Sequence, residues 1–191
     1  NKTIHLDKKQ QQPNKNIVED NKLYIPNNND SLFWCYFIIK YGFFNYDLIN
    51  KSEFIEEKKE KIKIIEKIRS NKDIIKSRKW KLNALEENLV EDKPLLLSTF
   101  LCCCFLDNIN IVIKKDNCIY SQIIDNSKNI SLIEYDSNTK KFGLYLKENK
   151  KDIIEKYLKD LFIITNINKK IQAQSNYKVK EIKEICNKLQ I

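Results

Sequence analysis

The sequence predicts an α+β domain with a helical appendage, and three observations carry that prediction. A polar Asn/Asp run breaks directly into an apolar, helix-length stretch, "NNNDSLFWCYFIIKYG" at 27–42. Four short runs rich in Ile, Val and aromatic residues follow one another between 109 and 146. Apolar residues then return at helical spacing from 153 to the end. A chain of 191 residues, 42% hydrophobic, is enough for one ordinary domain with a packed core.

Residues 1–22, "NKTIHLDKKQQQPNKNIVEDNK", are polar with scattered apolar positions and Pro13, and read as an extended arm. From Asp30 the character changes. Leu32, Phe33, Cys35, Tyr36, Ile39 and Tyr41 are apolar nearly all round, which predicts a central buried helix ending near Gly42. Asp30 or Ser31 can cap it by accepting from the orphan amides of the first turn. Residues 51–70 predict a charged amphipathic helix with Phe54, Ile62, Ile65 and Ile68 inward. After "EDKP", Leu95–Leu106 predict a second apolar helix containing Cys102, Cys103 and Cys104.

Four strands are expected at 109–113, 119–124, 130–135 and 142–146. Asn, Asp, Ser and Lys turns separate them, as in a meander or hairpins. Ile153, Ile154, Tyr157, Leu158, Leu161 and Phe162 predict an amphipathic helix, and Val179, Ile182, Cys186 and Leu189 mark one face of a last one. The expected segments are therefore an arm (1–22), an α+β domain (23–148), an amphipathic helix (149–168), and a linker with a terminal helix (169–191).

The net charge of +9 fits an acidic partner such as nucleic acid. Most lysines, however, are interleaved with Glu and Asp on helical stretches, where they read as a solvated face. The exception runs from Lys67 to Lys81. It contains Lys67, Arg69, Lys72, Lys76, Arg78, Lys79 and Lys81, with Trp80 among them and Asp73 as its one acid. Such a stretch can hold a phosphate backbone and stack a base on Trp80. The competing reading packs the tryptophan onto the fold and leaves its neighbours wet.

The six cysteines (35, 102, 103, 104, 118 and 186) read as buried, reduced thiols rather than a disulfide framework, which implies folding in a reducing compartment. His5, the one histidine, lies in the polar arm, so no metal site is readable, and no cofactor or small-molecule substrate is expected. No apolar run reaches the ~18 residues a membrane helix needs. The over-use of Lys, Asn and Ile suggests an AT-rich genome, and the lack of any Met suggests a processed piece of a longer product.

Three of these features, in this order, resemble the OTU (ovarian tumour) branch of the papain-like cysteine proteases. The stretch at 27–42 resembles the family's Asp-Gly-x-Cys-hydrophobic-aromatic start of its central helix. A charged helical middle and an apolar helix lead into "NINIVI", and the strands end in "KKFGLYL", where the family carries a His-aromatic pair. The resemblance covers roughly residues 24–146. It implies a central buried helix, a helical middle, a small, mainly antiparallel sheet and C-terminal helices.

Its catalytic residues carry over in two registers. Matching Leu32-Phe33 to the hydrophobic-aromatic pair puts Ser31 at the nucleophile position and Asn28 at the Asp position. Keeping Cys35 as nucleophile places it a turn inside the helix, beyond most of the helix-end field. Neither register finds a base: residues 136–142 hold no imidazole, and an unshifted Lys140 or Lys141 stays protonated near neutral pH.

The terminal "SNYKVKEIKEICNKLQI", at 175–191, resembles the first helix of a SAP-type motif. That resemblance implies DNA contact through Lys178, Lys180 and Lys183, with the second helix of the motif missing. Together with the base composition, these likenesses point to a large double-stranded DNA virus.

The expectation is a non-catalytic OTU-like pseudoenzyme, a minor capsid or other virion protein that contacts other viral structural proteins and is assembled in the host cytoplasm. The alternatives are an active cysteine protease or deubiquitinase using Cys35 or, in the other register, Ser31, and a DNA-binding accessory protein.

Overall fold

The turn formed by Asn27, Asn28 and Asn29 ends at Asp30, whose side chain accepts from the Phe33 amide at 3.0 Å and starts α1 (Ser31–Tyr41). The helix ends at Gly42, held at φ 88, a conformation that costs residues with a Cβ far more than glycine. Ser31 through Ile38 are all buried, so α1 is the central helix that its all-round apolar character predicts. The computed structural model describes residues 23–49, 52–147, 150–167, 169 and 171–191. The expected arm at 1–22, with His5, lies outside the described residues.

Around α1 pack α2 (Phe43–Asp47), α3 (Glu53–Ser70), α4 (Lys72–Ser77), α5 (Leu82–Val90) and α6 (Leu97–Leu106). Beneath them lies one sheet of six strands: β1 (Leu23–Tyr24), β2 (Asn110–Lys115), β3 (Cys118–Gln122), β4 (Ile130–Asp136), β5 (Lys141–Tyr145) and β6 (Phe162–Ile163). On the sheet's far face sits α7 (Lys151–Asp160), and α8 (Val179–Leu189) follows β6. This is an α+β architecture with eight α-helices among the described residues.

Alternation along the strands divides the core between the two faces. Ile111, Ile113, Ile133, Phe142 and Leu144 face the helical layer, together with Phe33, Ile68, Leu89 and Phe100. Val112, Ile119 and Leu132 face the opposite way and close on Ile154 of α7.

The strand order is β1-β5-β4-β2-β3-β6, so the four central strands are two hairpins laid side by side rather than a meander. β2–β3 and β4–β5 are antiparallel, but β4 lies parallel to β2. The buried Asn110 side chain accounts for this path. Its Oδ1 accepts from the amides of Ile124 and Asp125 at 2.8 and 3.1 Å, while its Nδ2 donates to the carbonyls of Asp125 and Lys128 at 2.6 and 3.1 Å. The loop leaving β3 is thereby held at the foot of β2, and β4 enters beside β2 instead of beside β3. Two short edge strands, β1 and β6, extend the sheet beyond the four that were expected.

Two expectations need correction. Phe54 and Ile62 of α3 point outward, 69% and 57% exposed, while Glu60, Lys61, Ile64 and Ile68 face the core. The apolar pattern misleads because the inner face uses paired charges: Lys61 Nζ donates to Asp30 Oδ2 at 3.1 Å, and Glu60 accepts from Lys40 at 2.8 Å. The helix expected to include Leu161 and Phe162 stops at Asp160. The Phe162 amide donates to Asn117 O at 3.0 Å and the Ile164 amide to Ile119 O at 2.9 Å, so pairing with β3 outcompetes another helical turn.

Gly143 is needed for space. A Cβ there would lie 2.9 Å from the Tyr24 carbonyl oxygen and 2.6 Å from Leu23 Cγ. Gly143→Ala is expected to push β1 off β5 and to cost about 1–3 kcal/mol, read as a lowered urea midpoint with an unchanged m-value. Wild-type stability in that variant would refute the close approach.

Candidate functional site

The two candidate nucleophiles lie on the buried side of α1, against β5. Ser31 is the first residue of the helix, where the capping turn delivers it, and Cys35 is one turn further in. Both engage the main chain of one residue of β5. The Phe142 amide donates to Ser31 Oγ at 2.9 Å, and the Cys35 thiol donates to the Phe142 carbonyl at 3.7 Å. The first turns of α1 thus take the place of a strand along this part of β5, which pairs with β1 only through Leu144 and Tyr145.

Electrostatics oppose a reactive thiol. Cys35 is fully buried, and burial, reinforced by the neighbouring Asp30 carboxylate, pushes its pKa well above the ordinary thiol value. Burial likewise pushes Cys102 up to about 12 and raises Cys103 and Cys104 strongly. None of the six cysteines is in a disulfide, and five of them are buried. Among the described residues no cluster of three or more His, Cys, Asp or Glu is placed to hold a metal ion.

Lys141, on the segment where the family resemblance expects an imidazole, donates to the Asn27 carbonyl at 2.8 Å and so closes β5 onto the Asn turn. Asn28 accepts from the Tyr46 hydroxyl at 2.9 Å. A cleft of about 400 Å³ opens next to this junction. It is lined by Leu32, Leu96, Ser98, Lys115, Phe142 and Ile167 among others, with neither Ser31 nor Cys35 on its wall.

Two buried charge networks fix α1 from its other sides. In the first, Asp30 Oδ2 accepts from the Leu95 amide at 3.0 Å and from Lys61, which also pairs with Glu57 at 2.7 Å. Burial alone would lower the Lys61 pKa, but Glu57 and Asp30 outweigh it and hold it above the usual value. In the second, Glu60 accepts from Lys40, Tyr41 and Lys63, while Asp107 accepts from Tyr36 and Lys67. Burial would raise both carboxyls, yet these donors hold each below the ordinary carboxylate range. Glu134, on the α7 side of the sheet, shows the same balance, with Lys114, Tyr145 and Tyr157 outweighing burial.

The basic stretch is dispersed by the fold. Lys67 is drawn to Asp107, and Arg69 grips Glu86 through Nε at 3.2 Å and Nη2 at 2.7 Å. Lys79 adopts a left-handed conformation that closes the end of α4, with the Trp80 amide donating to Ile75 O at 3.2 Å. Trp80 then packs edge-on against Phe105, with ring centroids 5.6 Å apart, and Arg78 lies 3.8 Å from the centre of the Phe105 ring. Lys72, Lys76, Lys79 and Lys81 are exposed, with no ion pair among the described residues. On α8, Lys178, Lys180 and Lys183 are exposed as well.

Lys61, Asn110 and the Phe142 main chain escaped the sequence reading. A lysine in a Lys-rich helix carries no mark of burial, and main-chain groups have no side-chain signal at all.

Asp30→Ala removes a helix cap, the acceptor for the Leu95 amide and one of the two carboxylates that neutralise buried Lys61. It is expected to cost about 3–5 kcal/mol, more than Lys61→Met, which leaves both amides satisfied. Equal losses in urea titrations of the two variants would contradict this ranking. Carboxyls held below their unfolded pKa stabilise the fold above that value, and the contribution disappears as pH falls through the folded one. The urea midpoint is therefore expected to drop as pH is lowered below about 4. A midpoint that is flat or rising there would refute the networks.

The chain matches no protein-family model, no curated protein and no solved structure.

Proposed function

We propose that this chain is a non-catalytic, OTU-like scaffold that works through protein–protein contacts. The observation that carries the reading is the engagement of both candidate nucleophiles by one backbone residue: Ser31 Oγ receives the Phe142 amide, and the Cys35 thiol faces the Phe142 carbonyl. A nucleophile needs a lowered pKa or a neighbouring base, and an open approach for the acyl group. Cys35 has a raised pKa and a sealed environment, and neither residue lines the adjoining cleft. The Lys, Asn and Ile bias and the resemblance of the sequence to OTU-like and SAP-like motifs support a minor capsid or other virion protein, bound to other viral structural proteins, as the proposed setting.

DNA binding is the second reading, and it rests on the four exposed lysines of the 67–81 stretch that make no ion pair among the described residues. Lys72, Lys76, Lys79 and Lys81 would contact phosphates, whereas Lys67, Arg69, Arg78 and Trp80 are occupied by Asp107, Glu86 and Phe105.

A ubiquitin-based electrophilic probe separates the scaffold from the protease. No adduct is expected on the native chain, and a stoichiometric adduct lost in Cys35→Ala would refute the non-catalytic reading. For DNA, the scaffold reading expects at most weak duplex binding. Sub-micromolar affinity at physiological salt, with a log–log salt slope of about −3 to −4 that flattens when the four lysines become Gln, would favour the second reading.

A further inference from the structure

Among the described residues, α8 carries an apolar stripe that the fold covers only in part: Ile182, Cys186 and Leu189 are half-buried. No residue of α8 is buried, although Val179, Ile182, Cys186 and Leu189 repeat at alternating three- and four-residue spacing along one face. Val179 is 72% exposed and Ile191, just beyond the helix, 83%. Among the described residues, the side-chain hydrogen bonds that tie the helix to the sheet come from its C-terminal half. The Leu189 carbonyl accepts from Asn117 Nδ2 at 3.0 Å, and Lys188 Nζ donates to the Leu161 carbonyl at 3.3 Å. Two adjoining hollows line the stripe, one of about 230 Å³ at Phe162, Ile171 and Leu189, the other of about 170 Å³ at Tyr177, Ile182 and Cys186. Their walls are mostly apolar.

The charges around the stripe are not symmetric. Glu181 turns back to accept from the Lys178 amide at 2.6 Å, and Lys188 is held against Leu161, so that flank belongs to the body of the protein. At 100° per residue, the opposite flank, beyond Val179 and Cys186, presents Lys183, Asn187 and Lys180 and no carboxylate. The remaining acid, Glu184, lies on the back of the helix.

We infer that α8 and the hollows beside it form a docking groove for an amphipathic helix of another protein, one that carries acidic residues along the flank facing Lys180 and Lys183. A stripe at this spacing takes knobs from a partner helix, and the hollows take its larger apolar side chains. The cationic flank selects the sign of the partner's charge. A second copy of this chain would set its own lysine flank against the first, and a nucleic acid would leave the apolar stripe wet. The inference rests on the scaffold reading above and specifies its partner.

Val179, Lys180 and Lys183 are exposed, so substituting them leaves the fold intact, which circular dichroism verifies. The probe is a fluorescein-labelled peptide of about three heptads, with Leu at a and d and Glu at e and g, beside a twin with Lys at e and g. Titrated with the full chain and followed by anisotropy, the Glu peptide is expected to bind at least about tenfold more tightly than its twin. Val179→Glu should weaken it by at least about tenfold, and Lys180→Glu with Lys183→Glu should invert the order of the two peptides. Equal affinity for both peptides, or binding of neither, overturns the inference. So does a dimer in sedimentation that Val179→Glu dissolves, which would assign the groove to a second copy. Duplex binding that depends on Lys180 and Lys183 but ignores Val179→Glu, with neither peptide bound, overturns it in favour of nucleic acid. A Cys35 adduct with the ubiquitin probe would sink the non-catalytic reading while leaving these titrations intact, so the two failures are distinguishable.

Discussion

The Asp30 carboxylate joins three stretches of chain that are distant in sequence. One oxygen caps α1 through Phe33. The other receives the Leu95 amide just ahead of α6 and the ammonium of Lys61 in the middle of α3. A carboxylate at 4% exposure is costly to bury without partners. With two amides, a lysine and the lysine's second partner Glu57, the group is satisfied in every direction. The direction and depth of α1 follow from this junction, and with them the strand that α1 can meet.

That strand is β5, and the contact shows how one element can be both core and edge protection. Phe142 turns its amide and carbonyl toward the first turns of α1, where a sheet edge would otherwise stand open to pairing with another chain. The serine hydroxyl and cysteine thiol that complete these bonds are the two candidate nucleophiles, and both tie α1 to β5. The opposite behaviour appears at the other end of the sheet, where β6 and α8 cover one another incompletely and leave apolar surface in water. One side of the molecule is satisfied internally, and at the other Val179 and Ile191 stay exposed.

Charge follows a similar division. Lys61, Glu60 and Asp107 sit within the helical layer because each finds several partners there, and such networks fix the relative positions of α1, α3 and the end of α6. Part of the surplus behind the net charge of +9 lies on α4 and the approach to α5, where Lys72, Lys76, Lys79 and Lys81 are exposed, and on α8, where Lys180 and Lys183 are.

Local signals were enough for the elements whose environment is uniform. The all-apolar run after Asp30, the cysteine-bearing helix and the four central strands could be read directly, because burial on every side, or alternation in a strand, leaves a pattern in adjacent residues. The terminal helix was equally legible, since its stripe is so regular. Tertiary structure alone decided which face of α3 turns inward, because buried Lys61 and Glu60 look like surface residues until Asp30 and Lys40 stand opposite them. It also decided that two hairpins share a parallel seam, through four hydrogen bonds to one asparagine, and that Phe162 and Ile163 join β3 instead of extending α7. The fate of Ser31 and Cys35 was likewise invisible in the chain order, because what occupies them is the backbone of Phe142, 111 and 107 residues away.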